Sequence, residues 1–291
     1  MIRLWFEDFW AAFDPKQNFF THTLDLFGFR YKISRRWPDV LIYSGFGERH
    51  KKFSCTKLFY TGENVKPNES ECDFSISFQP TAGQKNLRLP VYIYHAWYQS
   101  RGLGLPEGIE PMLKILLDRV HGQHVYSEPR DRFCSFIFGN GKPKRRNEFF
   151  HALQGYKPVD SAGKWMNNTG YSVDNKIKFL RKYKFNIAFE NESSPGYTTE
   201  KILDPLLSGA IPIYWGNPDI ADDFSPESYI NAMDYSSDEE LIEVIKDIDH
   251  NDALFRQYQQ AACFVNNVPT PFWELERLAT FYANVFGRPG S

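Results

Sequence analysis

The sequence predicts an α/β protein built as two Rossmann-like domains that face each other across a cleft. Three observations lead there. Short apolar, β-rich runs alternate with stretches of helical periodicity, and they do so in two blocks. The blocks are separated by residues 121–130, HGQHVYSEPR, which are polar, contain Gly and Pro and show no period. The 291 residues are enough for two cores of ordinary size. The boundary is placed in that separator, giving domains of residues 1–126 and 127–291, with the terminal helix able to pack back on the first.

In the first block, Ile2–Phe6 reads as a strand and Lys16–Phe27 as a helix of mixed polarity. Tyr31–Ser34, Val40–Tyr43 and Leu58–Tyr60 follow as short strands bounded by Gly, Pro and charge. Asp73–Phe78 and Leu89–Ile93 complete the set, and Ile109–Val120 carries apolar residues at helical spacing. The second block opens on the strand Phe133–Phe138, a Gly-rich loop and a helix from Arg146 to Leu153. Next comes a β–loop–α–β unit: strand Phe185–Phe189, a Ser/Pro/Gly loop, an apolar helix after Lys201, and strand Ile211–Trp215 ending at Gly216. Pro205 lies inside that helix, removes the bond to the Lys201 carbonyl and is expected to kink or shorten it. Ser237–Ile248 is a helix capped by Ser236 or Ser237 with acids in its first turn, and Pro271–Phe286 is helical and amphipathic.

Charge is almost balanced, 34 basic against 36 acidic residues, which argues against a nucleic-acid or bulk membrane binder. Aromatic content is 17%, most of it core, yet some Trp and Tyr are available to stack on sugar rings. The four cysteines are scattered without a CxxC pair, which fits a reducing compartment and no zinc motif. Glu7 and Asp8 interrupt what would be a signal-peptide core, and no apolar run is long enough to span a membrane. A soluble, cytoplasmic protein is expected, and the sequons at Asn68, Asn167 and Asn191 read as chance. There is no GxxxxGK[ST] and no HExxH; Gly45-Phe46-Gly47 and Gly102-Leu103-Gly104 lack the context of a dinucleotide fingerprint. Asp247-Ile248-Asp249 reads as a helix surface, so no metal site is expected.

Four groups of residues are candidates for chemistry. Glu190-Asn191 closes one strand and Tyr197-Thr198-Thr199-Glu200-Lys201 opens the following helix, at the strand ends where open α/β sheets bind ligands. Ordinary capping accounts for Thr198 or Thr199 and for Glu200. It does not account for five hydrogen-bonding side chains around one crevice, where Lys201 and free helix N–H groups suit a phosphate. The basic run Lys142–Arg146 alone is a solvated patch, but it stands at a strand exit, and Arg146 at the helix start is the member placed to grip a diphosphate. Glu63 follows the strand Leu58–Tyr60 as either a turn residue or a general base at the cleft rim. Tyr92–Tyr98 combines core aromatics with a platform for a sugar, which singles out His95, Trp97 and Tyr98.

These segments resemble a known family. FENESSPGYTTEKILDPLLSGAIPIYWG is similar to the donor-binding motif of the α1,3/4-fucosyltransferases. KLFYTGENVKPN resembles that family's first-domain motif, LRLPVYIYHAWY its acceptor-side segment and RRNEFFHAL its R-N-x-F helix. With KYKFNIAFEN and NPDIADDFSPESYINAMDY, the similarity runs from about residue 58 to about residue 236. The resemblance implies a GT-B architecture with the acceptor bound mainly by the first domain and GDP-fucose by the second. It implies inverting transfer of L-fucose from GDP-β-L-fucose to the 3-hydroxyl of N-acetylglucosamine in a lactosamine-type glycan, with the 4-hydroxyl left open. Carried over by position, Glu63 is the general base, and Arg146 and Lys201 are the diphosphate ligands. Asn191, Tyr197 and Glu200 are the other donor contacts, Glu200 also stabilising positive charge at the fucose carbon. The donor is a substrate and no cofactor is required; metal stimulation and oligomeric state stay open. Pro205 departs from the family pattern, and so does the lack of the animal enzymes' membrane anchor and of the basic heptad tail of some bacterial members. A bacterial cytoplasmic enzyme, or one peripheral to the inner membrane, is the expectation. The alternatives are the same fold with another sugar nucleotide, and a non-catalytic glycan- or nucleotide-binding protein.

Overall fold

The computed structural model describes residues 1–80, 83, 85–102, 109–121 and 130–289, without the side chains of residues 99–102. The chain forms two compact units, Met1–Tyr98 with Pro271–Ser291, and Gln99–Thr270. The boundary expected after residue 126, and the Gly102-Leu103-Gly104 stretch beyond Gly102, lie outside the described residues.

The first unit is a six-stranded sheet of β1 (Ile2–Glu7), β2 (Tyr31–Ile33), β3 (Val40–Tyr43), β4 (Thr56–Tyr60), β5 (Phe74–Ser77) and β6 (Asn86–Arg88). Every pairing is parallel and the order is β2-β1-β3-β4-β5-β6. All four residues of β3 are buried, as expected of a parallel strand covered on both faces. Helix α1 (Phe19–Leu26) starts at a capping box in which Asn18 accepts from the Phe20 and Thr21 N–H groups and Thr21 reciprocates. Helix α2 (Val91–Gly102) replaces the strand expected over Leu89–Ile93. The strand lies earlier, at Asn86–Arg88, because Pro90 has no N–H for a ladder and instead starts a turn, its carbonyl accepting from Ile93 at 3.0 Å. Val91, Tyr92, Ile93 and Tyr94 are buried in succession, so the start of α2 is enclosed on all sides and does not alternate as a half-exposed strand would.

The second unit begins with α3 (Glu110–Leu117) and continues through β7 (Arg132–Phe136), α4 (Lys144–Gln154), β8 (Val159–Ser161), α5 (Lys176–Leu180) and β9 (Tyr183–Phe189). It ends with α6 (Glu200–Ser208), β10 (Ile211–Trp215), β11 (Ile230–Asn231), α7 (Asp238–His250) and α8 (Asp252–Gln260). Its sheet is also parallel throughout, in the order β11-β10-β9-β7-β8. Phe149, Phe185, Ile187, Ile213 and Ile245 are buried in its core. Two arginines satisfy carbonyls at element ends: Arg119 donates to Tyr258 (3.0 Å) and Gln259 (2.9 Å) in the last turn of α8, and Arg130 to Ser208 (2.6 Å) at the end of α6 and Tyr183 (2.7 Å) at the start of β9. Pro205 does not break α6, which runs through it to a left-handed cap at Gly209 (φ +77°), though the helix is only nine residues long. The final helix, α9 (Glu276–Phe286), belongs to the first unit, where Tyr282 and Thr23 of α1 share a 2.9 Å hydrogen bond.

Counted within each unit, the first and third strands are neighbours: β1 beside β3, and β7 beside β9. In both sheets the order therefore reverses there, which is the switch point where α/β sheets open a crevice at their carboxyl ends.

Asp249, at the end of α7, is buried and joins this helix to β9 and to the turn before β8 through Lys184 (3.0 Å), Tyr156 (2.8 Å) and Lys157. Burial pushes its carboxyl up, but the hydrogen bonds from Lys157, Tyr156 and Lys184 outweigh that and hold it below the ordinary range. Its contribution is therefore present in full above the unfolded carboxylate value near about 4 and is lost as pH falls through the lower folded value. Urea unfolding is expected to show Asp249→Asn about 1–3 kcal/mol less stable than wild type at pH 7, a gap that closes in strong acid.

Candidate active site

The second unit's switch point gathers most of the candidate residues. β9 ends at Phe189, and the next residue, Glu190, is wholly buried. Its Oε1 accepts the Thr199 backbone N–H at 2.8 Å, its Oε2 the Thr199 hydroxyl at 2.8 Å, and the Lys201 ammonium pairs with Oε2 at 3.0 Å. Thr199 is the N-cap of α6, accepting from the Lys201 N–H, and Lys201 Nζ also donates to its hydroxyl at 2.9 Å. Glu200 Oε1 lies 3.6 Å from the same ammonium. Burial alone would lower the Lys201 pKa, but the Glu190 and Glu200 carboxylates hold it well above its ordinary value. For Glu190, burial pushes the carboxyl up against the pull of Lys201.

Arg146 lies in the first turn of α4 and is buried to 1% exposure. Its guanidinium stacks over the Phe138 ring at 3.7 Å. It donates to the Asn140 carbonyl at 2.7 Å and to Asn191 Oδ1 at 3.0 Å, both neutral oxygens, and its buried Nε has no hydrogen-bond partner. Burial pushes the Arg146 pKa down to about 10, against the pull of Glu190 and Glu200, so it stays a cation at neutral pH. The two basic candidates thus differ: Lys201 is held by carboxylates, whereas Arg146 is a desolvated cation on neutral partners.

The loop between β9 and α6 is pinned to the exit of β10. Asn217 Oδ1 accepts the Gly196 N–H at 2.7 Å, Asn217 Nδ2 donates to the Thr198 hydroxyl at 3.0 Å, and Ser193 donates to the Gly216 carbonyl at 2.6 Å. Gly216 is required by close approach: a Cβ there would stand 2.5 Å from Cγ of Glu190. Tyr197 is buried to 1% exposure, so as the chain stands it is a packed side chain under the loop.

In the first unit, Glu63 follows β4 in a tight turn, its N–H on the Thr61 hydroxyl (3.1 Å) and its carbonyl on the Val65 N–H (2.7 Å). That turn leaves the carboxylate exposed, lining a cavity of about 630 Å³ with Trp10, Phe46, Tyr94, His95 and Tyr98. Trp97, singled out with His95 and Tyr98, does not line it. It is 1% exposed and packs on Phe19, His22 and Tyr98, because α2 turns it to the opposite side from His95.

Glu190 is legible in the sequence as one of the polar side chains of the crevice but not as the buried partner of Lys201, Asn217 only as the start of a family-like segment, and Trp10 and Phe46 not as cavity residues. A signal existed for two of these: Trp10 and Phe46 are aromatics set just beyond the apolar runs of β1 and β3. Among the described residues, no group of three or more His, Cys, Asp or Glu side chains is arranged to hold a metal ion, and no helix is long and apolar enough to cross a membrane.

Two parallel sheets whose strand order reverses at a switch point define a doubly wound α/β protein, with a buried arginine at one of the two crevices. Comparison with known proteins narrows this. Residues 128–280 match the family model described as "Glycosyltransferase family 10 (fucosyltransferase) C-term", and residues 4–95 match "Alpha-(1,3)-fucosyltransferase FucT N-terminal domain". The chain is 33% identical over 244 residues to the alpha-(1,3)-fucosyltransferase FucT of Helicobacter pylori, covering 75% of this chain and 51% of that one. It thus spans about half the length of that relative. A crystal structure of an alpha1,3-fucosyltransferase aligns with a TM-score of 0.78 at 27% identity, covering 98% of this chain and 90% of the other. Another, of an alpha1,3-fucosyltransferase with GDP-fucose, aligns at 0.76 and 26% identity, covering 100% and 91%. The chain belongs to glycosyltransferase family 10, the fucosyltransferases. Its two parallel-sheet α/β units are of the GT-B type.

Replacing Gly216 by Ala forces Glu190 away from Thr199 and Lys201. Chemical denaturation is expected to show a loss of roughly 1–3 kcal/mol, whereas Ala at the open Gly139 costs far less.

Proposed function

We propose that this protein is an inverting α1,3-fucosyltransferase that moves L-fucose from GDP-β-L-fucose to the 3-hydroxyl of N-acetylglucosamine in a lactosamine-type glycan. The observation that carries the reading is Arg146, a buried cation bonded to neutral oxygens at the second unit's switch point. A desolvated guanidinium that keeps its charge without a carboxylate partner is suited to an anionic ligand with planar oxygens. The resemblance to proteins named as α1,3-fucosyltransferases, one solved with GDP-fucose, supports the diphosphate donor as that ligand.

In this scheme Arg146 grips the diphosphate, Asn191 orients the guanidinium, and Lys201 faces the phosphates while Glu190 holds it in place. Tyr197 backs the loop, and Glu200 stabilises the positive charge that develops at the fucose anomeric carbon. Glu63 accepts the proton of the acceptor hydroxyl as its oxygen bonds to that carbon. The bond from carbon to the diphosphate oxygen breaks on the opposite face, and its electron pair leaves with GDP. An acceptor hydroxyl is a weak nucleophile, so the base belongs within hydrogen-bond reach of it. The exposed Glu63 carboxylate, beside the aromatic cavity with His95 and Tyr98, is the group we assign to that work.

GDP release from GDP-fucose with N-acetyllactosamine tests this directly. Wild type is expected to turn over, and Glu63→Ala to lose roughly 10²- to 10⁴-fold in kcat while binding GDP as before. Nearly full activity in Glu63→Ala removes the base assignment. In a titration calorimeter, Arg146→Ala is expected to bind GDP about 10- to 100-fold more weakly; unchanged affinity would show that the diphosphate sits elsewhere. Wild type that binds GDP-fucose yet transfers to no acceptor of a broad glycan panel is a binding protein. Linkage analysis of the product separates the 3- from the 4-hydroxyl.

A further inference from the structure

A second cluster of charged groups lies at the other switch point, between β1 and β3, outside the donor crevice. Asp8, the residue after β1, has left-handed backbone (φ +58°), a conformation that a non-glycine residue keeps only where its surroundings impose it. The surroundings are one loop, residues 46–50, which follows β3. Phe46 N–H donates to the Asp8 carbonyl at 3.0 Å. The Arg49 and His50 N–H groups meet the two Asp8 carboxylate oxygens at 3.0 and 2.9 Å. His50 Nδ1 lies 2.8 Å from Asp8 Oδ2, and its Nε2 lies 3.1 Å from Glu71 Oε2. The imidazole is stacked flat on Tyr43 at 4.0 Å, and the Asp8 and His50 side chains are 3% and 5% exposed. Gly47 belongs to the same fit, since a Cβ there would stand 2.5 Å from Asp8 Oδ1.

These contacts tie the exit of β1 to the loop after β3. What they hold in register is the pair of aromatics on either side. Trp10 lies two residues beyond Asp8, Phe46 makes the bond to the Asp8 carbonyl, and the two rings meet edge to face with centroids 6.2 Å apart. Trp10 also meets Tyr94 edge to face at 6.2 Å. These three rings wall the cavity that Glu63 lines, yet Phe46 is 49% exposed and has little packing of its own to fix it.

We infer that Asp8 and His50 are positioning residues for the acceptor: their buried clamp sets Trp10 and Phe46 as the aromatic wall against which an acceptor sugar lies beside Glu63. This rests on the acceptor reading of the Glu63 cavity given above. Neither residue touches substrate; each acts through the two rings.

The test uses the full chain with Asp8→Asn, His50→Ala and His50→Gln, whose amide retains a donor for the Asp8 carboxylate. Asp8→Asn and His50→Ala are expected to raise the KM for N-acetyllactosamine roughly 10- to 100-fold, leave the KM for GDP-fucose within about twofold, and be partly rescued in His50→Gln. The second readout is Trp10 emission, taken as the difference between each variant and the same variant carrying Trp10→Phe. A red shift and stronger acrylamide quenching are expected. Unchanged acceptor KM with unchanged Trp10 emission overturns the clamp. So does an emission change without a KM change, or a matched rise in donor and acceptor KM with a lowered Tm, which marks a general fold defect. If wild type transfers to no acceptor, the activity reading fails, and the emission readout still decides whether Asp8 and His50 hold the wall.

Discussion

A parallel strand cannot be joined to its neighbour by a tight turn; each connection has to cross the whole sheet before the next strand begins. When the third strand of a unit is laid on the other side of the first, the connections leaving those two strands run to opposite sides of the sheet and open a crevice between their carboxyl ends. Both sheets here obey that constraint, at β1 and β3 and again at β7 and β9. The residues with unusual chemistry follow from it. Asp8 and Phe46 stand at the first gap, and Arg146, Glu190 and Asn191 at the second. The strands supply burial, and the ends supply polar groups that burial would otherwise exclude.

Within the second gap the two cations are treated differently by their surroundings. Lys201 is neutralised internally by Glu190, and Gly216 makes room for that carboxylate. Removing either partner of such a pair leaves an uncompensated buried charge, so the pair is a fixed part of the architecture around the start of α6. Arg146 is desolvated as fully but rests on carbonyl and amide oxygens and on the face of Phe138. Those contacts orient the guanidinium without cancelling its charge. In the proposed scheme both cations face the diphosphate, Arg146 held by neutral oxygens and Lys201 by the Glu190 carboxylate.

Much of this was legible in the linear pattern. Apolar runs bounded by turn residues located β1, β3, β7, β9 and β10, since strand burial in a parallel sheet is written into consecutive residues. β8 and β11 were not: Val-Asp-Ser and Ile-Asn carry one apolar residue each, whereas the equally short β2 reads as Tyr-Lys-Ile. Over Leu89–Ile93 the same aromatic and β-branched residues served a helix, because Pro90 decided the local backbone and composition did not. Trp97 shows the matching limit for side chains. Its chemistry suits a sugar platform, but the turn of α2 directs it into the core.

The alternation of strands and helices, the capped start of α6 and the residue types at each strand exit are local properties of the chain. These depend on neighbours a few positions apart, where periodicity and turn chemistry act. Folding set which strand ends became neighbours, brought Arg146 to Asn191 across 45 positions and brought Asp8 to His50 across 42. It also set Lys201 against the Glu190 carboxylate and Arg146 against neutral oxygens, since such partners are acquired when distant segments pack.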